Sequence, residues 1–253
     1  MTKSTKLALL PPISRPWPVA ILALDPSKSC SGAALLLPSH LLDVVVLPEE
    51  RAKPTREHSV VWAHDVSGAR REKRMLELIA GAQQYASLRG LPLVVVAEKW
   101  TGHGKFGGAR TQRGLGEGFA EWRMVLAVRG FHSEIVRVVP SRWYAAVIGG
   151  KKRRDDKQTV VQAMLRRFPH LGPDLGEDAA EAVAIGLWAS LSGDVGMVVP
   201  ATLLREHLAS LRDPGLLAEI ERRRGLVSSD AKSRVAGKHA DLVVVDETEA
   251  KRR

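Results

Sequence analysis

One cysteine, Cys30, stands among 253 residues. No disulfide can form within the chain, which fits a reducing compartment. No apolar run approaches the roughly 20 residues that a membrane-spanning helix needs. The opening stretch MTKSTKLALLPPISRPWP has only a few apolar residues in a row, broken by prolines, and makes a poor secretory leader. These absences predict a soluble, cytoplasmic protein with no membrane association. The chain has no pair of cysteines and no close pair of histidines, which argues against a zinc site. It has no internal repeat, which argues against a solenoid. Acid is in deficit: 28 Asp and Glu face 38 Lys and Arg, a formal net charge of +10. Such an excess favours a polyanionic partner, nucleic acid first and an anionic membrane surface second.

Hydrophobic residues make up 45% of the chain, enough for a sizeable core. Residues 1–18 read as an irregular arm. VAILALD (19–25), bounded by Pro18 and Pro26, is a strand candidate, followed at short spacing by GAALLLP (32–38) and LLDVVVLP (41–48). These three form an antiparallel meander, and 49–58 is a polar loop. From Ser67 the period becomes helical, with Met75, Leu76, Ile79 and Ala82 on one face and Gly90 as the stop. LPLVVVAE (91–98) is apolar on both faces, as in a sheet covered by helices. Residues 99–118 read as a basic, Gly-rich loop entering a helix that carries Phe119, Trp122, Met124, Leu126 and Val128. A strand at 133–139, a short helix through about 148, and helices at 156–168 and 176–191 follow. Residues 200–224 make two short helices whose arginines at 222–224 read as a solvated end. The segment from Val227 is polar, charged and expected to be mobile. The order predicts an α/β fold with a mixed sheet: a three-strand antiparallel meander plus parallel strands, flanked by helices. The expected organisation is an arm (1–18), one α/β domain (19–191) and a helical, charged extension (192–253).

Two of the apolar strands end on an acid, Asp25 and Glu98. In parallel central strands both would open on the same sheet edge, where α/β folds place ligands. An acid after a strand is commonly only a turn former. Asp178 and Glu181 are three residues apart and share a helix face whose next positions are apolar, so that face turns inward. Acids in a first turn also suit the helix dipole, and Glu177 and Asp174 read as no more than that. Taken together, four carboxylates converging on one edge repel one another and are costly to bury. A divalent cation is the usual compensation, and oxygen-only ligands favour Mg²⁺ or Mn²⁺. Two such ions can activate water and stabilise the leaving oxygen of a phosphodiester.

The ordered motifs resemble those of RuvC-like Holliday junction resolvases, in the RNase H-like superfamily. ILALDPSKSCSGAALL resembles the family's first motif, a strand ending in Asp with a Ser/Gly-rich turn into the next strand. LVVVAEKW resembles the second, and ARTQRGLGEGFAEWRMVLAVRG the helix after it. VVPSRWYAAVIGGKKRRDDKQTVVQAMLRRF resembles the next block, and EDAAEAVAIGLWAS the last. The match runs over about 19–191. The resemblance implies an RNase H-like fold and catalytic, metal-ligating acids at Asp25, Glu98, Asp178 and Glu181. It places Lys157 near the scissile phosphate. It also implies a homodimer that cuts two strands of a four-way DNA junction. The chain departs from the family in having Glu181 where Asp is common. In the block after Pro140, where the family often has Lys, Arg142 can replace the charge but not a proton carrier.

Cations flank these acids. Lys99, Lys105, Arg110 and Arg113 follow Glu98 in a Gly-rich segment that lets backbone approach phosphates closely. Phe106 and Trp100 can stack on bases or anchor locally. KKRRDDK (151–157) brings Lys151, Lys152, Arg153 and Arg154 just ahead of the last acids. Cys30 reads as a small filler residue. The expectation is a Mg²⁺- or Mn²⁺-dependent, structure-selective DNA endonuclease, with two ions. A non-catalytic nucleic-acid-binding module on the same fold is the alternative. An actin-like kinase lacks its second phosphate loop here.

Overall fold

The computed structural model describes residues 10–26, 30–38, 43–46, 50–51, 68–99, 109–131, 135–150 and 157–225. Among the described residues there are six strands: β1 (Ala20–Asp25), β2 (Cys30–Leu37), β3 (Asp43–Val46), β4 (Glu50–Arg51), β5 (Leu93–Glu98) and β6 (Ile135–Val138). They lie in the order β3-β2-β1-β5-β6, with β4 pairing separately with β2. β1, β2 and β3 pair antiparallel, whereas β1, β5 and β6 run parallel. The meander and parallel strands expected from the sequence are therefore present, in the RNase H-like arrangement. β4, which extends the pairing of β2 at Cys30 and Ser31, falls where the sequence reads as loop.

The apolar runs are continuous because both faces of the sheet are covered. On one face Ile21, Ala23, Leu36, Val94 and Val96 pack under α3 (Pro140–Val147), α4 (Lys157–Arg167) and α5 (Glu177–Leu191). On the other, Leu22, Leu24, Leu35, Val95 and Ala97 pack under α1 (Gly68–Ser87) and α2 (Ala109–Val128). α2 starts at Ala109, halfway along the segment (99–118) that the sequence shows as a glycine-rich loop. Its inner face is Trp122, Val125 and Leu126, whereas Met124 and Val128 are exposed. α5 is buried almost all round and forms the centre of its layer. Its glycine at Gly186 faces Leu36, so close that an added Cβ would lie 2.2 Å from a Leu36 methyl.

Residues outside the sheet unit share the α5-side core. Leu10, Ile13 and Trp17 are buried there, as are Val195, Val199, Leu204, Leu208, Leu216 and Ile220. The backbone N–H of Ile13 donates to Leu191, and the Trp17 indole donates to the Ser192 carbonyl at 2.8 Å. Beyond α6 (Ala201–Leu211), a helix α7 covers 214–225. Of its three arginines only Arg222 is solvated. Arg223 is buried and donates to Glu219 at 2.6 Å, and Arg224 donates to the carbonyls of Gly196 and Val199. Among the described residues, no helix is long and apolar enough to cross a membrane.

Candidate metal centre

Asp25 is the last residue of β1, and Glu98 the last of β5. Leu24 stands opposite Ala97 in parallel register, so the two acids end neighbouring strands on one sheet edge. Both continue the series that points to the α5 layer: Ile21, Ala23, Asp25 and Val94, Val96, Glu98. Pro26 follows Asp25 at once and, having no N–H, cannot carry the ladder further.

The third contributor reaches this edge because of a glycine. Asp25 pairs with Gly32 of β2. A Cβ on Gly32 would lie 1.9 Å from the backbone oxygen of Asp178. The first turn of α5 thus rests on bare backbone directly beside Asp25. Glu177 and Asp178 occupy that first turn, where negative charge suits the helix dipole. One turn on, Glu181 is only 4% exposed.

Carboxylate oxygens of Asp25, Asp178 and Glu181 lie within 4.8 Å of one another. Lys157, the first residue of α4, donates to Asp178 Oδ1 at 2.8 Å and stands 3.7 Å from Glu177 Oε2. Burial pulls the ammonium pKa down. The hydrogen bond to Asp178 and the charges of Asp178, Glu181 and Asp25 outweigh that and raise it above its ordinary value. Among the described residues, three carboxylates face one ammonium here, in a chain of formal net charge +10. A hard divalent cation fits this donor set: all ligands are carboxylate oxygens, and their spacing lets them share one ion.

Glu98 is not one of these three. Its Oε2 accepts a hydrogen bond from the indole of Trp143, on α3, at 2.8 Å. Its backbone is fixed as well: Glu98 pairs with Val138, and the next N–H, that of Lys99, donates to the Val138 carbonyl at 2.6 Å. The sequence shows Trp143 only as part of a motif. The signal for its role is a tryptophan at the fourth position of a helix opened by Pro140, directly after the strand beside Glu98. A second tryptophan acts at the start of β2, where the Trp122 indole donates to Ser31 Oγ at 3.2 Å.

The expected phosphate-binding cations are placed unevenly. Lys99 is exposed directly after Glu98. Arg142 Nη1 lies 2.5 Å from Asp194 Oδ2, and its guanidinium stands over the Trp188 ring, 5.2 Å from the centroid. Arg110 and Arg113 belong to helix α2 rather than to a loop, and their side chains lie outside the description. Trp100, Lys105, Phe106, Lys151, Lys152, Arg153 and Arg154 fall outside the described residues, and so does the side chain of Cys30.

No family model and no curated protein matches this chain. Solved structures similar in outline include the following three. Thermus thermophilus RuvC in complex with a Holliday junction substrate has 13% identity and a TM-score of 0.48, over 68% of this chain and 93% of that one. A second Thermus thermophilus RuvC structure has 14% identity and a TM-score of 0.45, over 69% of this chain and 99% of that one. The yeast mitochondrial Holliday junction resolvase Ydc2 has 10% identity and a TM-score of 0.40, over 85% and 87%.

Proposed function

We propose that this protein is a metal-dependent DNA endonuclease that resolves four-way junctions, working as a cytoplasmic homodimer. The observation that carries this reading is the trio Asp25, Asp178 and Glu181, gathered at a sheet edge and partly neutralised by Lys157. An acidic cluster within a chain of net charge +10 suits a cation bound where a polyanion also docks. The ordered motifs of the sequence support the junction as the form of that polyanion.

Asp25, Asp178 and Glu181 would hold Mg²⁺ or Mn²⁺, and Glu98 would complete the acids of a two-ion site. The ions would supply charge neutralisation for the phosphodiester and an activated water. Lys157 is oriented by Asp178 and keeps its proton at neutral pH, so it serves as a fixed cation toward the phosphate rather than as a base. Lys99, Lys105, Arg110, Arg113, Arg142 and the 151–154 cations would bind the DNA backbone, with Phe106 against bases.

One observation favours a second reading. Lys157 already sits on Asp178 as a built-in counter-ion, which suits a binding module that needs no metal. Cleavage assays on four-way junctions, flaps, plain duplexes and RNA–DNA hybrids in Mg²⁺ and Mn²⁺ decide between them. Selective cutting of the four-way junction is expected. Binding without cutting in either metal would establish the second reading.

A further inference from the structure

The geometry points to Trp143 as a positioning residue for Glu98. This rests on the metal-centre reading above. Of the four acids, Glu98 alone stands outside the compact trio, and it needs its own support to meet the same ion or ions. A glutamate has three side-chain torsions to fix, and a β-strand end fixes none of them. Trp143 supplies the constraint. Its side chain is wholly buried, so the ring cannot swing away without opening the core. Its N–H only donates, so it is suited to a carboxylate oxygen. The 2.8 Å contact joins α3 to the end of β5, across the edge where Asp25 and the first turn of α5 meet.

Two further features make this a support rather than a chance contact. Pro140 opens α3 with its φ already set for a helix, which fixes where Trp143 projects. The Tyr144 ring lies beside the indole, with centroids 5.8 Å apart, and is itself buried. A ligand carboxylate held by an outer hydrogen bond binds metal better than a free one, and loss of such a partner costs roughly 10- to 100-fold in affinity. The indole N–H is therefore both a brace for Glu98 and a reporter of what Glu98 binds.

Two measurements on the full chain test this. In the first, the indole N–H resonances of ¹⁵N-labelled protein are followed during Mg²⁺ titration. The Trp143 signal, assigned by its nuclear Overhauser contacts to the neighbouring Tyr144 ring, is expected to shift while that of Trp17 stays put. In the second, calorimetry compares wild type with Trp143→Phe, which keeps an aromatic ring in the core. Mn²⁺ affinity is expected to fall about 10- to 100-fold with an unchanged circular dichroism spectrum. If wild type binds Mn²⁺ but Trp143→Phe binds it equally well, the positioning role is refuted. If the variant fails to fold, the titration decides: an unmoved Trp143 signal at saturating Mg²⁺ refutes the role. If wild type binds neither ion, the metal-centre reading itself fails.

Discussion

The backbone of Asp178 rests on Gly32, the residue paired with Asp25 across the β1–β2 ladder. The contact brings two acids together that are far apart in sequence. It leaves no room for a side chain, since an added Cβ would also lie 2.3 Å from the Asp178 carbonyl carbon. Backbone on both sides cannot yield as a flexible side chain could.

Gly32→Ala is expected to push the first turn of α5 off the sheet. The overpacking should cost about 1–3 kcal/mol of stability by urea unfolding. Divalent-ion affinity should drop by at least about 10-fold, because Asp178 and Glu181 move away from Asp25. Gly81→Ala is the control. It lies in α1, where an added Cβ meets nothing within 4 Å, and it should stabilise by about 0.5–1 kcal/mol.

Lys157→Met removes the ammonium that, among the described residues, pairs with the trio at Asp178. The lysine's pKa is raised above 10.5, so its contribution to stability is complete below about pH 10.5 and is lost only as pH climbs through the raised value. Between about pH 7 and pH 9, the stability gap between wild type and variant should therefore stay constant as far as this group is concerned. With Asp178 no longer paired to Lys157, added Mn²⁺ should raise the melting temperature of the variant more than that of wild type. Equal shifts in thermal melts would show that Lys157 and the ion do not share Asp178.

Trp17→Ala tests whether the segment before β1 is part of the folded core. The ring is 1% exposed, and its N–H is bonded to the Ser192 carbonyl. Losing both should cost about 3–5 kcal/mol by denaturant titration. Divalent-ion affinity, measured below the unfolding transition, should not change, because the residue is held at the opposite end of α5 from the acids.

Asp25 and Glu98 are legible as strand-ending acids because each closes an apolar run, and sheet parity then sends both the same way. Asp178 and Glu181 are legible from their i, i+3 spacing. What separates Glu98 from the other three is a tertiary contact with Trp143, and no local pattern encodes that. The start of α2 is misread for a different reason. Gly114, Gly116 and Gly118 each disfavour a helix by roughly 1 kcal/mol in isolation. Packing outweighs that propensity: Trp122, Val125 and Leu126 dock on the sheet, and Gly118 itself is buried. β4 is too short and charged to carry a strand pattern, and pairing with β2 alone defines it.

The most direct test of the central claim is cleavage of a four-way DNA junction in Mg²⁺ by Asp25→Asn beside wild type. The amide keeps the shape of the side chain but removes its charge and one of the carboxylate oxygens that could hold a metal. Cutting should fall by more than the roughly 10- to 100-fold typical of losing a group that only supports a ligand. Junction binding should persist and weaken steeply with added salt. If Asp25→Asn cuts the junction at the wild-type rate, the acids at this sheet edge are not the catalytic centre.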